Sequence, residues 1–516
     1  MRPLLLALFL LLCGNSVAQN QIPQIRNLTV GVNTQEVEVT FALEDAENDE
    51  IEITFQVSED GGNTYTTQTT GITGDVGFPI STGSLKQLSW DFSQVSTPVN
   101  ELWVRVIADD RVEIDIQTVV DQVDKARLLG DMTFFEGRRH RSTGTTLLRA
   151  TKDSMEQLFI QQDIEASRQA FDYNGYMAHN LIGRKAGIVQ AGKVYIVGGH
   201  FDTVSNSPGA DDNASGFVGM MEACRVLAPY DFESTVKFVG FDLEETGLIG
   251  SGRFVADGGI ADFEEIGGML NLEMIGYFDT TANTQTLPTG FEVLFPEAWA
   301  AVNAQNFRGN FITNVGNNNS ADFYTAFNSA AASYVPQLRV VSLLADAGPI
   351  TPPDFLRSDH AQFWLGGHKA LMITDGAEFR NPNYHSPNDL VSTIDFDFMS
   401  DVVKATVATL AEQAVIRHSS SQALPVDQSS SVQELDCHFN IFPNPNDQLL
   451  RLQLQQCPQQ PTEIHIYTLD GRLMHRSAFA PDGTFEVTTQ AWPAGLYLLH
   501  MTDGVRSSSR KFMVRH

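Results

Sequence analysis

Two histidines and five carboxylates stand close behind short apolar segments of this sequence, where parallel strands commonly present catalytic groups. They are His200, Asp202, Asp212, Glu244, Glu245, Glu273 and His385. Nitrogen and oxygen donors without a thiolate suit zinc, with cobalt or manganese as substitutes. If the apolar segments are strands of one sheet, these side chains meet at its carboxyl edge and form a metal site.

The first segment, Val194–Val197, is β-branched and aromatic without polar alternation, which is typical of a strand buried on both faces. His200 and Asp202 follow on one side of the extended chain because strand side chains repeat every two residues. At this spacing the carboxylate can orient the imidazole. Asp212 stands in a turn that opens an amphipathic helix, so strand, acidic turn and helix start are predicted to converge.

Three more segments, at 235–241, 268–272 and 370–374, are predicted strands. The remaining candidates follow them, namely Glu244, Glu245, Glu273 and, after a longer loop, His385. Adjacent carboxylates repel each other, so Glu244 and Glu245 both stay ionised only beside a cation. This pair strengthens the prediction of a metal.

Five ligands exceed the needs of one tetrahedral zinc. If Asp212 bridges two ions, each ion gains two further donors, and these pairs are His200 with Glu273 and Glu245 with His385. Two ions about 3.5 Å apart can clamp a water molecule, lower its pKa and stabilise both oxygens of a tetrahedral intermediate. The carboxylate left over, that of Glu244, is then the general base that takes the proton of the water and passes it to the leaving amine.

In order and spacing these residues resemble the co-catalytic di-zinc aminopeptidase family, which also contains glutamate carboxypeptidases. The resemblance spans roughly residues 128–418 and implies an α/β fold of three layers, α/β/α, with a mixed central sheet and two Zn²⁺ per chain. Position by position it implies these roles: metal ligands His200, Asp212, Glu245, Glu273 and His385, with Asp212 as the bridge, Asp202 as the orienting partner of His200, and Glu244 as the base.

The same resemblance implies roles for residues that spacing alone does not identify. Tyr384 stands where the family places a phenol that stabilises the oxyanion, and the triplet Ser358–Asp359–His360 recurs as support of the site. The sequence departs from the family at Glu273, where single-chain aminopeptidases usually have Asp. The longer side chain still reaches a metal, but the choice between aminopeptidase and carboxypeptidase stays open.

Other interpretations compete with an aminopeptidase. The sequence contains no Gly-x-Ser-x-Gly, which argues against a serine hydrolase. The rival functions are a carboxypeptidase, a one-zinc glutaminyl cyclase and a surface-binding protein with an inactive peptidase domain. The complete set of ligands and the base argue against the cyclase and against the inactive protein. His360 and His368 are predicted to be structural. Arg380 pairs either with a substrate carboxylate or with Asp375 or Glu378.

Composition and the N-terminus predict an exported globular protein that does not bind nucleic acid. The 63 acidic and 33 basic residues give a net charge of −30, which repels phosphate backbones. Arg2, the apolar run Leu4–Leu12 and Ala18 have the layout of a secretory signal peptide, predicted as residues 1–18. No later segment has the 18 consecutive apolar residues of a membrane span, so no transmembrane segment is predicted.

Two further domains are predicted around the peptidase domain at 114–418. Short alternating strands at 22–113 predict a β-sandwich of fibronectin type III or immunoglobulin-like architecture. The Ser/Gln-rich residues 419–435 predict a linker. Residues 436–516 are again predicted to form short strands. They contain two cysteines, Cys437 and Cys457, which could form a disulfide.

The last of these domains carries an ordered set of motifs. Phe442–Pro445 reads FPNP, Gly495–Tyr497 reads GLY, and Lys511–Val514 closes the chain. This tail resembles the C-terminal sorting domain of the type IX secretion system, which implies a β-sandwich, export through periplasm and outer membrane, and a secreted or cell-surface protein. Together the motifs predict an exported zinc exopeptidase that removes N-terminal residues from peptides and engages the type IX machinery.

Overall fold

The computed structural model describes residues 20–33, 35–93, 95–345, 352–426, 433–434, 438–444, 448–456, 463–468, 473–478, 484–490, 492–502 and 506–515. The predicted signal peptide lies outside these residues, as do Cys437 and Cys457. The remaining cysteine beyond the signal, Cys224, is buried with a free thiol.

Two small sheets enclose one core in the N-terminal domain, as the alternating pattern predicts. Every second residue of a strand faces the core, for example Val37, Val39 and Phe41. One sheet has the order β1-β2-β7-β5, and the other contains β8-β3-β4 with β6 beside β3. The strands are β1 (Gln24–Asn33), β2 (Glu36–Glu44), β3 (Ile51–Ser58), β4 (Thr66–Thr67), β5 (Ile72–Gly74), β6 (Gly77–Ile80), β7 (Gly83–Asp91) and β8 (Trp103–Asp109).

Helices surround the sheet of the central domain. They are α1 (Ile116–Val120), α2 (Lys125–Phe135), α3 (Thr145–Gln161), α4 (Gly216–Leu227), α5 (Ile249–Ala256), α6 (Phe291–Leu294), α7 (Pro296–Asn303), α8 (Ala321–Tyr334), α9 (His360–Leu365) and α10 (Phe396–Gln413). Among the described residues, no helix is long and apolar enough to cross a membrane.

The central sheet has eight strands in mixed directions, in the order β16-β15-β17-β14-β11-β13-β10-β9, and β12 pairs with β18 apart from it. The strands are β9 (Glu165–Tyr173), β10 (Tyr176–Lys185), β11 (Gln190–His200), β12 (Asp231–Phe232), β13 (Ser234–Phe241), β14 (Glu265–Leu272), β15 (Ile312–Gly316), β16 (Val340–Leu344), β17 (Ala370–Thr374) and β18 (Ile416–Arg417). Strand β11 is parallel to β13 and β14, and β14 is parallel to β17. The carboxyl ends of these four strands therefore lie at one edge.

Each face of the sheet carries its own apolar core. On β11, Tyr195 and Val197 enter the core formed with α2, α4, α8 and α10. Val194 and Ile196 enter the opposite core, formed with α5, α7 and α9. This alternation explains why the strand shows no polar positions in the sequence. The predicted three-layer α/β/α fold with a mixed central sheet is confirmed.

The segment after the central domain is not a linker throughout, and the prediction is wrong for its first seven residues. Ser419–Pro425 forms a strand, β19, that pairs antiparallel with β8 from Ser419↔Asp109 to Pro425↔Trp103. Val426 then packs into the core of the N-terminal sandwich, and its amide donates to the carbonyl of Leu102. The N-terminal sandwich is therefore completed by residues that follow the central domain.

Buried polar contacts join the N-terminal sandwich to the central domain. Gln56 Nε2 donates to the carbonyl of Ile188 at 2.6 Å, and Arg105 Nη1 donates to the carbonyl of Gly187 at 2.9 Å. These carbonyls belong to the turn that leads into β11. The guanidinium of Arg105 also lies 3.6 Å from the centre of the Tyr65 ring. The sandwich thus contacts the base of the strand that ends in His200.

The tail forms two sheets around a separate core, in agreement with the predicted sandwich. The sheets have the orders β20-β27-β26-β23-β24 and β21-β22-β25. Leu452, Ile464, Leu499 and Phe512 are buried between them. The strands are β20 (Gln433–Glu434), β21 (His438–Phe442), β22 (Leu449–Gln456), β23 (Glu463–Thr468), β24 (Leu473–Ala478), β25 (Thr484–Thr488), β26 (Gly495–Thr502) and β27 (Arg506–Val514).

Truncation on either side of β19 should separate its contribution from that of the tail. A chain ending at Val426 should keep the free energy of unfolding of the first two domains, whereas a chain ending at His418 should lose at least about 3 kcal/mol of it. Burial of one Val side chain alone contributes roughly 1.5–3 kcal/mol, and the hydrogen bonds with β8 are lost as well. Chemical denaturation of the two truncated chains measures the difference. Equal stabilities would contradict a structural role for β19.

Candidate metal centre

The seven residues predicted from the sequence come together at the carboxyl edge of the central sheet. His200 is the last residue of β11, and Glu273 follows the last residue of β14. Glu244 and Glu245 begin a short helical turn after β13, and Asp212 lies in the turn before α4. His385 belongs to the loop that follows β17.

Asp212 lies between the two histidines, with one carboxylate oxygen directed at each. Its Oδ1 is 3.4 Å from Nε2 of His200, and its Oδ2 is 3.0 Å from Nε2 of His385. The two oxygens therefore face two separate groups of ligand atoms, which is the arrangement that a bridging carboxylate requires.

The first group gathers around His200. Its Nε2 is 3.4 Å from Oε2 of Glu273 and 3.9 Å from Oε2 of Glu244. The ligand atoms of these three side chains lie within 4.8 Å of one another, as a shared metal ion demands. Glu244, predicted as the base, thus borders this group rather than standing apart from it.

The second group consists of Asp212, Glu245 and His385, whose ligand atoms also lie within 4.8 Å of one another. Nε2 of His385 is 3.2 Å from Oε2 of Glu245. The other oxygen of Glu245 accepts a hydrogen bond from the amide of Val204 at 3.1 Å, which fixes the carboxylate. The two groups contain the predicted pairs, His200 with Glu273 and Glu245 with His385, and the first group contains Glu244 as well.

Asp202 holds both the imidazole and the turn with the two glutamates. Its Oδ1 lies 3.5 Å from Nδ1 of His200, which also contacts the carbonyl of Asp202 at 3.2 Å. Both carboxylate oxygens accept backbone hydrogen bonds, from the amide of Glu244 at 3.0 Å and that of Glu245 at 3.3 Å. Asp202 therefore ties the end of β11 to the turn after β13.

A buried arginine that the sequence did not single out braces the Asp212 turn. Arg139 is fully buried, and its guanidinium donates to the carbonyls of Phe201 and Gly209, both at 2.7 Å. Gly209 has φ +63, and a β-carbon there would lie 2.4 Å from the carbonyl oxygen of Asp212. Among the described residues, the hydrogen bonds of the Arg139 guanidinium go to main-chain carbonyls, so its role leaves no spacing signal in the sequence.

The electrostatics of these side chains fit a bound cation. Among the described residues, only the two histidines form ion pairs with the carboxylates of the two groups. Burial raises the pKa of Glu244 well above its usual value and that of Glu245 to about 7. Although burial opposes it, hydrogen bonds that His385 donates to the carboxylates of Asp212 and Glu245 raise its pKa to about 10. A positive charge at this position would stabilise the ionised carboxylates of both groups.

Tyr384 lies beside the centre, with its ring stacked on that of His385 at 3.8 Å between centroids. Nη2 of Arg357 donates to the phenol oxygen at 3.2 Å. Burial, followed by the charges of Asp212 and Glu273, raises the pKa of Tyr384, so its phenol keeps its proton. A protonated phenol can donate a hydrogen bond to a substrate oxygen.

Ser358, the first residue of the triplet Ser358–Asp359–His360, contacts the candidate metal ligand Glu273. Its hydroxyl donates to Oε2 of Glu273 at 2.7 Å and accepts a hydrogen bond from Nδ2 of Asn271 at 2.6 Å. His360 instead contacts the carbonyl of Phe355, and burial lowers its pKa to about 4, as befits a structural histidine.

Arg380 is buried and does not face the metal groups. Its Nε donates to Oε1 of Gln285 at 2.7 Å, and burial lowers its pKa to about 10 against the attraction of Asp375. Glu378 pairs with Arg357 instead. Of the two sequence interpretations, the burial of Arg380 and its attraction to the charge of Asp375 favour a structural role over a bond to a substrate carboxylate.

A cavity of about 100 Å³ opens beside Glu273 and Tyr384. Its walls are mainly apolar and come from several strands and loops: Leu287, Phe291, Phe311, Val315, Val341, Leu343, Phe355 and Met372. Charged side chains line the same cavity, namely Asp354, Arg357 and Glu378. The sequence did not predict this cavity because its walls are brought together only by the fold.

Two family models match this chain. Residues 180–410, which include the seven predicted metal-site residues and Tyr384, match the peptidase family M28. The central domain belongs to peptidase family M28. Residues 440–515 match the secretion system C-terminal sorting domain, so the tail is a sorting domain of the type IX system. The M28 domain thus sits in a chain marked for export, to the cell surface or the medium.

Two curated proteins and one solved structure are similar to parts of this chain. The uncharacterized protein YfbL of Escherichia coli (strain K12) is 29% identical over 273 residues, which cover 51% of this chain and 80% of YfbL. Aminopeptidase YwaD of Bacillus subtilis (strain 168) is 31% identical over 118 residues, covering 23% of this chain and 26% of YwaD. LapB from Legionella pneumophila, a solved structure, is 20% identical with a TM-score of 0.47, covering 59% of this chain and 75% of that one.

The family settles the broad class of chemistry. The chain is an enzyme, a metal-dependent hydrolase of the metallo-aminopeptidase type, as the sequence predicts, and zinc is the metal that the family supports. The chain spans most of YfbL but only about a quarter of YwaD. The bond that this protein cleaves is therefore inferred from its own site.

Zinc should stabilise the fold through the Asp212 turn. Added at 100 times its dissociation constant, a ligand that binds only the folded state contributes about 2.7 kcal/mol per site. We expect apoprotein treated with zinc to gain at least this free energy of unfolding, and Asp212→Asn to lose most of the gain because one carboxylate serves both groups. Denaturation with and without zinc measures it. Asp257→Asn, at an exposed position, is the matched control, and an undiminished gain in Asp212→Asn would contradict a role for Asp212 in metal binding.

Proposed function

We propose that this protein is an exported zinc exopeptidase that removes N-terminal residues from peptides. The observation that carries the proposal is the position of Asp212, whose two oxygens face His200 and His385 separately. A structural carboxylate would need only one such partner. The apolar cavity beside Glu273 supplies a place for one side chain of a substrate.

The proposed metal content is two Zn²⁺ per chain. His200 and Glu273 would hold one ion, Glu245 and His385 the other, and Asp212 both. The chemistry that two zinc ions supply is a water molecule acidic enough to act as nucleophile at neutral pH, with stabilisation of negative charge on the attacked carbonyl. Two separate groups of ligand atoms support this count.

Glu244 is proposed to move the proton during peptide hydrolysis. Its backbone is fixed by Asp202, and its carboxylate borders the His200 group, within reach of a water molecule held there. Burial raises its pKa, which makes it a stronger base than an exposed glutamate. Glu244 would accept the proton as water adds to the carbonyl carbon and would donate it to the nitrogen as the C–N bond breaks.

Tyr384 is proposed to donate a hydrogen bond to the carbonyl oxygen of the substrate as negative charge develops there. The guanidinium of Arg357 occupies one acceptor site of the phenol oxygen, so the O–H remains free to point away from it. A positioned donor of this kind contributes about 2.7–4 kcal/mol to stabilisation of the transition state in other hydrolases.

The cavity supports an apolar residue at the substrate N-terminus. Its volume of about 100 Å³ is below the roughly 150 Å³ that holds a benzene molecule, so it suits an aliphatic side chain. The surrounding carboxylates would attract a free α-amino group. Because Glu273 and Tyr384 line the cavity, a side chain bound in it would place the adjoining peptide bond next to the metal groups.

Other functions on the same fold remain as rivals with distinct products. A carboxypeptidase would need a cation to bind the substrate carboxylate, and Arg357 is the charged residue of that sign at the cavity. A glutaminyl cyclase would not need two complete groups of ligands, and an inactive binding protein would not need Glu244. The sorting domain supports export through the periplasm and the outer membrane by the type IX machinery.

A substitution of Glu244 should abolish its role as the base without loss of metal binding. Glu244→Gln removes the proton acceptor but keeps the shape of the side chain, so we expect zinc content to stay at the wild-type level while kcat falls by at least about 100-fold. Zinc analysis and hydrolysis of leucyl amides measure the two quantities on one preparation. A Glu244→Gln protein with wild-type kcat would refute the mechanism.

Peptides with blocked ends separate the rivals. We expect hydrolysis of leucine-initiated peptides with a free N-terminus, whether or not the C-terminus is amidated, and none after N-acetylation. Mass spectrometry of the products identifies the bond cleaved. Loss of C-terminal residues from N-acetylated peptides would instead establish a carboxypeptidase, and release of ammonia from N-terminal glutamine would establish a cyclase.

A further inference from the structure

A buried carboxylate in the His385 loop holds the Asp212 turn. Asp389 stands four residues after His385 and is completely buried. Its Oδ1 accepts a hydrogen bond from the amide of Asp211 at 2.8 Å, and its Oδ2 accepts one from the amide of Asp212 at 3.1 Å. The amide of Ala210 donates to the carbonyl of Asp389 at 3.3 Å. Three successive amides of one turn therefore bind a single residue of another loop.

These bonds join the two elements that meet at the second ligand group. Asp212 comes from the turn before α4, and His385 comes from the loop after β17, more than 170 residues later. Between their side chains the distance from Oδ2 to Nε2 is 3.0 Å. Asp389 is the backbone-level link between the same two segments, so it sets how far apart these side chains can lie.

Charge makes this link stronger than an ordinary turn contact. When Asp389 is ionised, its two hydrogen bonds are stronger than those between neutral groups, although burial raises the pKa of its carboxyl to about 7. The positive charge of buried Arg139 interacts favourably with Asp389, and the guanidinium also binds the carbonyl of Gly209 in the same turn. Arg139 and Asp389 therefore hold the turn from its carbonyl and amide sides.

We infer that Asp389 is a positioning residue for metal binding, which sets the spacing of Asp212 and His385 and so the affinity of the Asp212–Glu245–His385 group. The inference rests on the proposed two-zinc centre. It assigns Asp389 no contact with metal or substrate. The His200–Glu273 group has its own supports in Asp202 and Ser358, so loss of Asp389 acts mainly on the other group.

Asp389→Asn tests the assignment with little change of shape. One amide group replaces a carboxylate oxygen and turns a donor toward a backbone N–H, so one of the two bonds is lost. Removal of a group that orients metal ligands typically lowers metal affinity 10–100-fold. We expect apo Asp389→Asn to bind Zn²⁺ with at least one dissociation constant raised at least tenfold, and the larger rise should fall on the Asp212–Glu245–His385 group.

Calorimetric titration of the apoproteins with Zn²⁺ measures both affinities without reference to activity. Asp231→Asn is the matched control, because Asp231 is also a buried aspartate but lies just before β13, at the opposite edge of the sheet from the metal groups. The control should bind both ions with wild-type affinity. Two unchanged dissociation constants in Asp389→Asn would overturn the inference.

A second variant covers the case in which Asp389→Asn does not fold. Asp389→Ser fits the same space and keeps one acceptor, and thermal unfolding of the apoprotein verifies its fold before titration. Folded Asp389→Ser with two wild-type sites would also overturn the inference. If instead the wild type binds a single zinc ion, the proposed two-ion count fails, and this outcome is distinct from failure of Asp389 to affect the second ion.

Discussion

Repulsion among buried carboxylates is the constraint on which the rest of the site depends. Asp212, Glu244, Glu245 and Glu273 converge within a few ångströms, with two histidines as their ion-pair partners among the described residues. Such a group persists in a fold only if the backbone holds it and a cation compensates it. The surrounding structure is arranged accordingly: Asp202, Asp389 and Arg139 bind main-chain groups of the segments that carry the ligands.

The ligands could be predicted from the sequence because residue type and strand position are both visible there. His200 and Glu273 stand at the ends of apolar runs, and parallel strands bring such ends to one edge. Asp389 and Arg139 could not be found in this way. Their partners are backbone amides and carbonyls of distant segments, and a bond to the main chain places no demand on the type of residue that supplies it.

The same reasoning explains the error at 419–425. Only Ser419 in this strand is fully buried, and the remaining side chains are half-buried or exposed, so no alternation appears. An edge strand bonded on one side needs little apolar surface, and its Ser/Gln-rich composition is then typical of a linker. The four parallel strands at the centre of the main sheet, β11, β13, β14 and β17, are buried on both faces and show no such ambiguity, so the sequence predicts them while it misses β19.

The position of β19 also sets an order of assembly. Ser419 pairs with Asp109, about 310 residues earlier, so the N-terminal sandwich cannot close when its first strands leave the ribosome or enter the export channel. Its last strand and Val426 arrive only after the entire M28 domain has been delivered. The domain that is made first is thus completed only after the second domain has been made, and one edge of β8 stays unpaired until then.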